Sequence, residues 1–123
     1  MIKKIGNVTM IQLSDTDSNI YVVGDTVIDS GTGFNFTRLM SMFSGIMKVD
    51  MGSIKWVINT HGHFDHVRGN GYFLNAKIAI HEDDAEIVEK GDGELSFADF
   101  FDGTLRPHKV EKRLRERLET PPQ

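Results

Sequence analysis

The sequence contains no cysteine. Disulfides, thiolate metal ligands and a cysteine nucleophile are therefore excluded. Lack of cysteine fits a reducing compartment, and a cytoplasmic location is expected. No run of about 20 apolar residues is present, as a membrane-spanning helix would need, and no membrane partner is expected. Met1-Ile2-Lys3-Lys4 is basic, but Gly6, Asn7, Thr9 and Gln12 interrupt any apolar stretch behind it. No export signal is expected there. Positive charge is scarce in the body of the chain: residues 1–105 carry 8 Lys and Arg against 15 Asp and Glu, a balance of −7. A phosphate backbone is a poor partner for such a body, so nucleic acid is not expected. Residues 106–123 reverse the sign, with 6 basic and 3 acidic residues, a balance of +3. Internal repeats and low-complexity segments are absent. Gly31-Thr32-Gly33 has neither the spacing of a dinucleotide loop nor a following P-loop lysine.

What is present is concentrated in Thr60-His61-Gly62-His63-Phe64-Asp65-His66. Three of the five histidines lie there, with a carboxylate between the second and third. Imidazole nitrogen and carboxylate oxygen suit a borderline-soft divalent ion such as zinc. Lys55-Trp56-Val57-Ile58-Asn59, just before, reads as a buried strand. The histidines thus sit where a strand ends, which is where open α/β sheets place their sites. Residues two apart in an extended segment point the same way, so His61 and His63 can reach one ion together. Asp65 and His66 lie past the turn and can face a second ion, as two-metal hydrolytic sites require.

His-x-His-x-Asp-His after an apolar strand resembles the signature of the metallo-β-lactamase-fold hydrolases. Upstream, Asn19–Val23 followed by Val27-Ile28-Asp29-Ser30-Gly31 resembles the family's paired early strands ending in an aspartate turn. Downstream, Ala76–His81 followed by Glu82 resembles its next strand and helix. The resemblance implies an α+β fold: half of an αβ/βα four-layer sandwich, with a mixed β-sheet and helices on one face. It implies zinc, one or two ions, with iron or manganese as alternatives. His61 and His63 would hold one ion, and Asp65 and His66 the other. Asp65 would also orient the attacking water or take up its proton. Asp29 would support the histidine loop from behind, against the plainer reading of a turn residue. The reaction implied is attack of metal-activated water on an ester, thioester, amide or phosphodiester. The small-molecule substrate is not named, because β-lactams, lactones and flavin-linked redox chemistry also occur on this fold.

The resemblance covers residues 7–90, about half of a family domain, and the family's later metal ligands have no counterpart here. The alternative is therefore a catalytically incomplete fragment serving as a metal-binding or interaction module. A half-sandwich would leave an apolar sheet face bare, so a homo-oligomer is expected.

At 123 residues the chain is one domain at most, and 39% hydrophobic content allows a modest core. Residues 1–105 are read as the half-domain and 106–123 as a basic, helical tail. Strands are expected over 7–13, 19–23, 26–29, 54–59 and 77–81, with Gly24-Asp25 as a two-residue hairpin turn. A helix capped by Thr37 should bury Leu39, Met40, Phe43, Ile46 and Met47. A second helix should run from Glu82 to Lys90, stopped at Gly91. Val110, Leu114 and Leu118, spaced by four, suggest a tail helix over 109–118. His81 is expected to be structural or solvated rather than pocket-lining, and His108 to face solvent. Phe97, Phe100 and Phe101 are expected to pack on the body, with a substrate-covering lip as the alternative.

Overall fold

The computed structural model describes residues 1–115. Seven strands form one sheet in simple sequence order: β1 Ile2–Ile5, β2 Val8–Ile11, β3 Ile20–Val23, β4 Thr26–Ile28, β5 Trp56–Asn59, β6 Lys77–His81 and β7 Lys112–Leu114. The first four make an antiparallel meander, and β4 to β7 run parallel. The turn at Gly24-Asp25 is as expected, with Gly24 at φ +59°, a conformation glycine adopts without steric cost.

Each parallel step needs a crossover. α1 (Phe36–Ser41) precedes β5, α2 (Phe64–Val67) precedes β6, and α3 (Glu82–Lys90) precedes β7. The sheet advances in one direction, and parallel crossovers are right-handed, so all three fall on the same face. Burial agrees. Paired positions Ile11 and Ile20, Val22 and Val27, then Val57 and Ile78 are almost fully buried. On the opposite face Met10, Tyr21, Ile28 and Ile58 form a row that stays only half-buried. This is the mixed sheet with helices on one face that the motif implied.

Three elements depart from expectation. β1 was not foreseen: its apolar residues sit at its ends with two lysines between, so it shows no alternation. It is a strand because β2 offers it a ladder, and its lysines suit an edge. The first helix starts at Phe36, not after Thr37, and Asn35 stands at its N-cap. It then widens into π-helical winding over Met42–Met47. Leu39 and Phe43 are buried and Met47 half-buried as expected, and Met42 is buried with them, but Met40, in the α-helical turn before the π segment, and Ile46, within it, are exposed. The tail helix does not form within the described residues. Lys112–Leu114 is a strand parallel to β6, and Leu118 lies outside the described residues. An open strand edge has unpaired amides and carbonyls, and satisfying them outweighs a narrow apolar stripe. Among the described residues no helix is long and apolar enough to cross a membrane.

Candidate metal centre

β5 ends at Asn59, and Thr60–His63 loop into the short helix α2. The three imidazoles gather there. The ring centre of His61 lies 3.9 Å from that of His66 and 4.5 Å from that of His63. His63 is exposed, whereas His61, Asp65 and His66 are half-buried.

Asp29 organises the loop from below. It is 4% exposed and holds φ +60°, a left-handed conformation uncommon outside glycine. Its Oδ1 accepts from the Thr60 amide at 2.8 Å. Its Oδ2 accepts from the Thr60 hydroxyl and from His66 Nδ1, each at 2.8 Å. A carboxylate only accepts, so His66 carries its proton on Nδ1 and presents a lone pair at Nε2. That Nε2 lies 3.6 Å from Asp65 Oδ2. The Thr60 hydroxyl has spent its proton on Asp29, so at 3.0 Å it accepts from His61 Nδ1. His61 too is left with Nε2 as its free donor atom. Fixing a ligand's tautomer through its other nitrogen is what metal-binding histidines generally require.

Burial lowers the pKa of His61, and repulsion from His66 and His63 lowers it further, against weaker pulls from Asp29 and Asp65. Burial alone would lower His66 as well, but the hydrogen bond to Asp29 and the charges of Asp29 and Asp65 outweigh it and raise its pKa. In chelator-treated protein, an NMR titration should therefore show His66 protonating first as pH falls, and His61 at lower pH. The linkage signs are opposite. The contribution of His66 to stability is complete below its unfolded pKa and is lost as pH rises through its raised folded value. His61 costs nothing above its unfolded pKa; its cost grows as pH falls below that value and is complete once pH is below its lowered folded value. An inverted order, or one shared pKa, would contradict this arrangement.

Other supports were invisible to pattern reading. The carbonyl of His66 accepts from the Ser30 amide at 2.9 Å and from Asn59 Nδ2 at 3.1 Å. Asn59 and Asn70 exchange side-chain amide bonds of 3.0 and 2.7 Å. The Ser30 hydroxyl donates to Asn70 Oδ1 at 2.7 Å. Asp84 of α3 accepts from the Gly62 amide at 3.0 Å, anchoring the loop between its first two histidines. In sequence, Asp84 is merely an acidic residue in a first helical turn.

The remaining expected residues divide. His81 is structural: its Nδ1 accepts from the Asp83 amide and caps α3. His108 does not simply face solvent. It is half-buried, its Nε2 lies 3.1 Å from Asn70 Nδ2, and its Nδ1 lies 2.9 Å from the Arg106 carbonyl. Phe101 packs on the body, stacked on Phe64. Phe97 and Phe100 do not pack away; they are 52% and 82% exposed. Both line a cavity of about 310 Å³ with His63 and Asp65, and the Phe97 ring meets that of His63 edge-on at 4.8 Å. Phe97 also has φ +64°, a strained conformation for a bulky residue.

The donors fit a divalent ion in kind: imidazoles with fixed tautomers beside a carboxylate. They do not complete a set, because among the described residues no three metal-ligating side chains close on one point.

The family model of the metallo-beta-lactamase superfamily matches residues 13–121, and the chain belongs to that superfamily. A probable metallo-hydrolase of Methanocaldococcus jannaschii is 30% identical over 100 residues, covering 75% of this chain and 46% of the relative. Among solved structures, the native FEZ-1 metallo-beta-lactamase from Legionella gormanii superposes with a TM-score of 0.71 at 21% identity, over 94% of this chain and 47% of that one. BJP-1, a subclass B3 metallo-beta-lactamase of Bradyrhizobium japonicum, gives 0.67 at 20% identity, over 89% and 43%. At these identities the structural matches speak for the fold. The chain spans less than half the length of each of these proteins.

Proposed function

We propose that the chain carries the histidine loop of a metal-dependent hydrolase acting on an ester, thioester, amide or phosphodiester. The observation that supports this most is the Asp29–His66 pair, which leaves His66 Nε2 beside Asp65 and within one ring's reach of His61, in a member of this superfamily. His61, His63, Asp65 and His66 are the residues that would hold the ion, zinc by preference, with iron or manganese as alternatives. A bound divalent ion of this class lowers the pKa of its water towards neutrality and polarises an acyl or phosphoryl oxygen.

The chain's own groups do the rest. Asp29 and Thr60 hold the imidazoles in one tautomer. Asp65 is half-buried, so its carboxylate can reach both the loop and a substrate, orient the attacking water and take up its proton. Phe97 and Phe100 give the adjoining cavity an apolar wall that excludes bulk water from one side. Hydrolysis of generic ester, thioester or phosphodiester substrates should fall at least about 100-fold with a chelator and with Asp65→Ala. Activity that survives both would place the chemistry elsewhere. Bound metal without activity on any substrate would favour the metal-binding module.

A further inference from the structure

A second feature lies away from the histidine rings, along Arg68, Tyr72 and the segment from Leu105 to His108. These residues line a cavity of about 490 Å³. That volume is in the range of small-molecule sites, roughly 300–1,000 Å³. Its lining includes two arginines and a histidine and no acidic residue; Arg68 belongs to the acidic body of residues 1–105, and Arg106 and His108 to the basic segment that follows it.

Arg68 is not a loose surface cation. It is half-buried, and its guanidinium carbon lies 5.7 Å from the Phe34 ring centre and 5.8 Å from that of Tyr72. One of its nitrogens, Nη1, donates to the Tyr72 hydroxyl at 3.1 Å. Tyr72 is itself fixed by stacking on Phe36 at 4.1 Å. Gly33, at φ +80°, brings its backbone against both side chains; a Cβ there would stand 2.6 Å from Arg68 Nη1 and 2.6 Å from Tyr72. The guanidinium is thus held in place before any ligand arrives. Among the described residues no carboxylate forms an ion pair with Arg68 or Arg106. Partly buried charges are normally paired, and a planar guanidinium pairs best with a two-oxygen anion. His108 fixes the far wall, with its nitrogens facing the Arg106 carbonyl and the Asn70 side chain.

We propose that this cleft binds a small oxyanion, the phosphate or carboxylate group of a small molecule, with Arg68 as the fixed fork and the exposed Arg106 as the second cation. The site stands on its own geometry and does not depend on the hydrolase reading. The test uses the full chain with chelator present, titrated with inorganic phosphate and, separately, acetate at constant ionic strength. Calorimetry and the Arg68 side-chain N–H signal report binding. Saturable binding of at least one anion is expected, weakened at least about tenfold by Arg68→Gln and measurably by Arg106→Gln. Saturation by phosphate alone identifies a phosphoryl ligand, by acetate alone a carboxylate, and by both the shared chemistry. Arg106 is exposed, so its variant keeps the fold if Arg68→Gln does not. The proposal is overturned if neither anion saturates or if binding is unchanged in both arginine variants. It is equally overturned if binding is lost in His61→Ala/His63→Ala and kept in Arg68→Gln, which would place the anion at the histidine loop.

Discussion

Replacing His61 and His63 together by alanine is expected to weaken zinc binding by more than about 100-fold while leaving the fold intact. Catalytic zinc takes about three protein ligands plus water, and the loop offers four candidate donors. Removing two leaves one imidazole and one carboxylate, too few to outcompete water. The fold should tolerate the change because His63 is exposed and His61 only half-buried. Neither belongs to the apolar core. Unfolding stability should therefore move by no more than about 1 kcal/mol. Elemental analysis of untagged protein, with denaturant unfolding of the same samples, makes the comparison. Equal metal content in wild type and variant would sink the assignment of the loop. Loss of metal together with loss of the fold would show that the histidines hold structure as well.

The second large effect is expected at a residue with no side chain. Gly69→Ala should cost about 3 kcal/mol or more, or prevent folding. A Cβ at Gly69 would stand 2.1 Å from the Ser30 carbonyl oxygen and 2.9 Å from its carbon, and both are backbone atoms. Neither can swing aside. The Ser30 amide is bound to the His66 carbonyl, its hydroxyl to Asn70, and the Gly69 amide to the Gly31 carbonyl at 3.0 Å. The Asp29–Gly31 turn and the 3-10 helix Arg68–Tyr72 that follows α2 are thus pressed together, and that contact holds Asp29 under His66. Gly71 is the internal control: nothing lies within 4 Å of a Cβ there, and its φ is not positive. Gly71→Ala should be neutral or stabilise by up to about 1 kcal/mol, the gain from restricting the unfolded chain where the folded backbone accepts a side chain. If Gly69→Ala unfolds within about 1 kcal/mol of wild type, this close approach does not exist in solution.

Local chemistry was enough to find much of this molecule. β5 and β6 are short apolar runs, and such runs are strands wherever a parallel sheet buries them. The β3–β4 hairpin follows from two β-branched runs around Gly24-Asp25. Glu82–Lys90 is a helix with the expected bounds because acids at its start, lysine at its end and Gly91 in the left-handed cap all agree. The histidine loop was legible because ligand chemistry needs rare residue types packed densely. Partners distant in sequence left no such trace. Asn70, Asp84 and His108 reach the loop or its supports only after α2, α3 and the last segment have packed.

The sequence by itself determined which elements could form and where chemistry would lie, because propensity, capping and ligand type act within a few residues. Only the tertiary structure decided that Ile2–Ile5 and Lys112–Leu114 are strands, because an edge's unpaired backbone groups recruit whatever segment runs beside them. It also decided which nitrogen of His66 is free, because that depends on a carboxylate 37 residues earlier being held 2.8 Å from the other one.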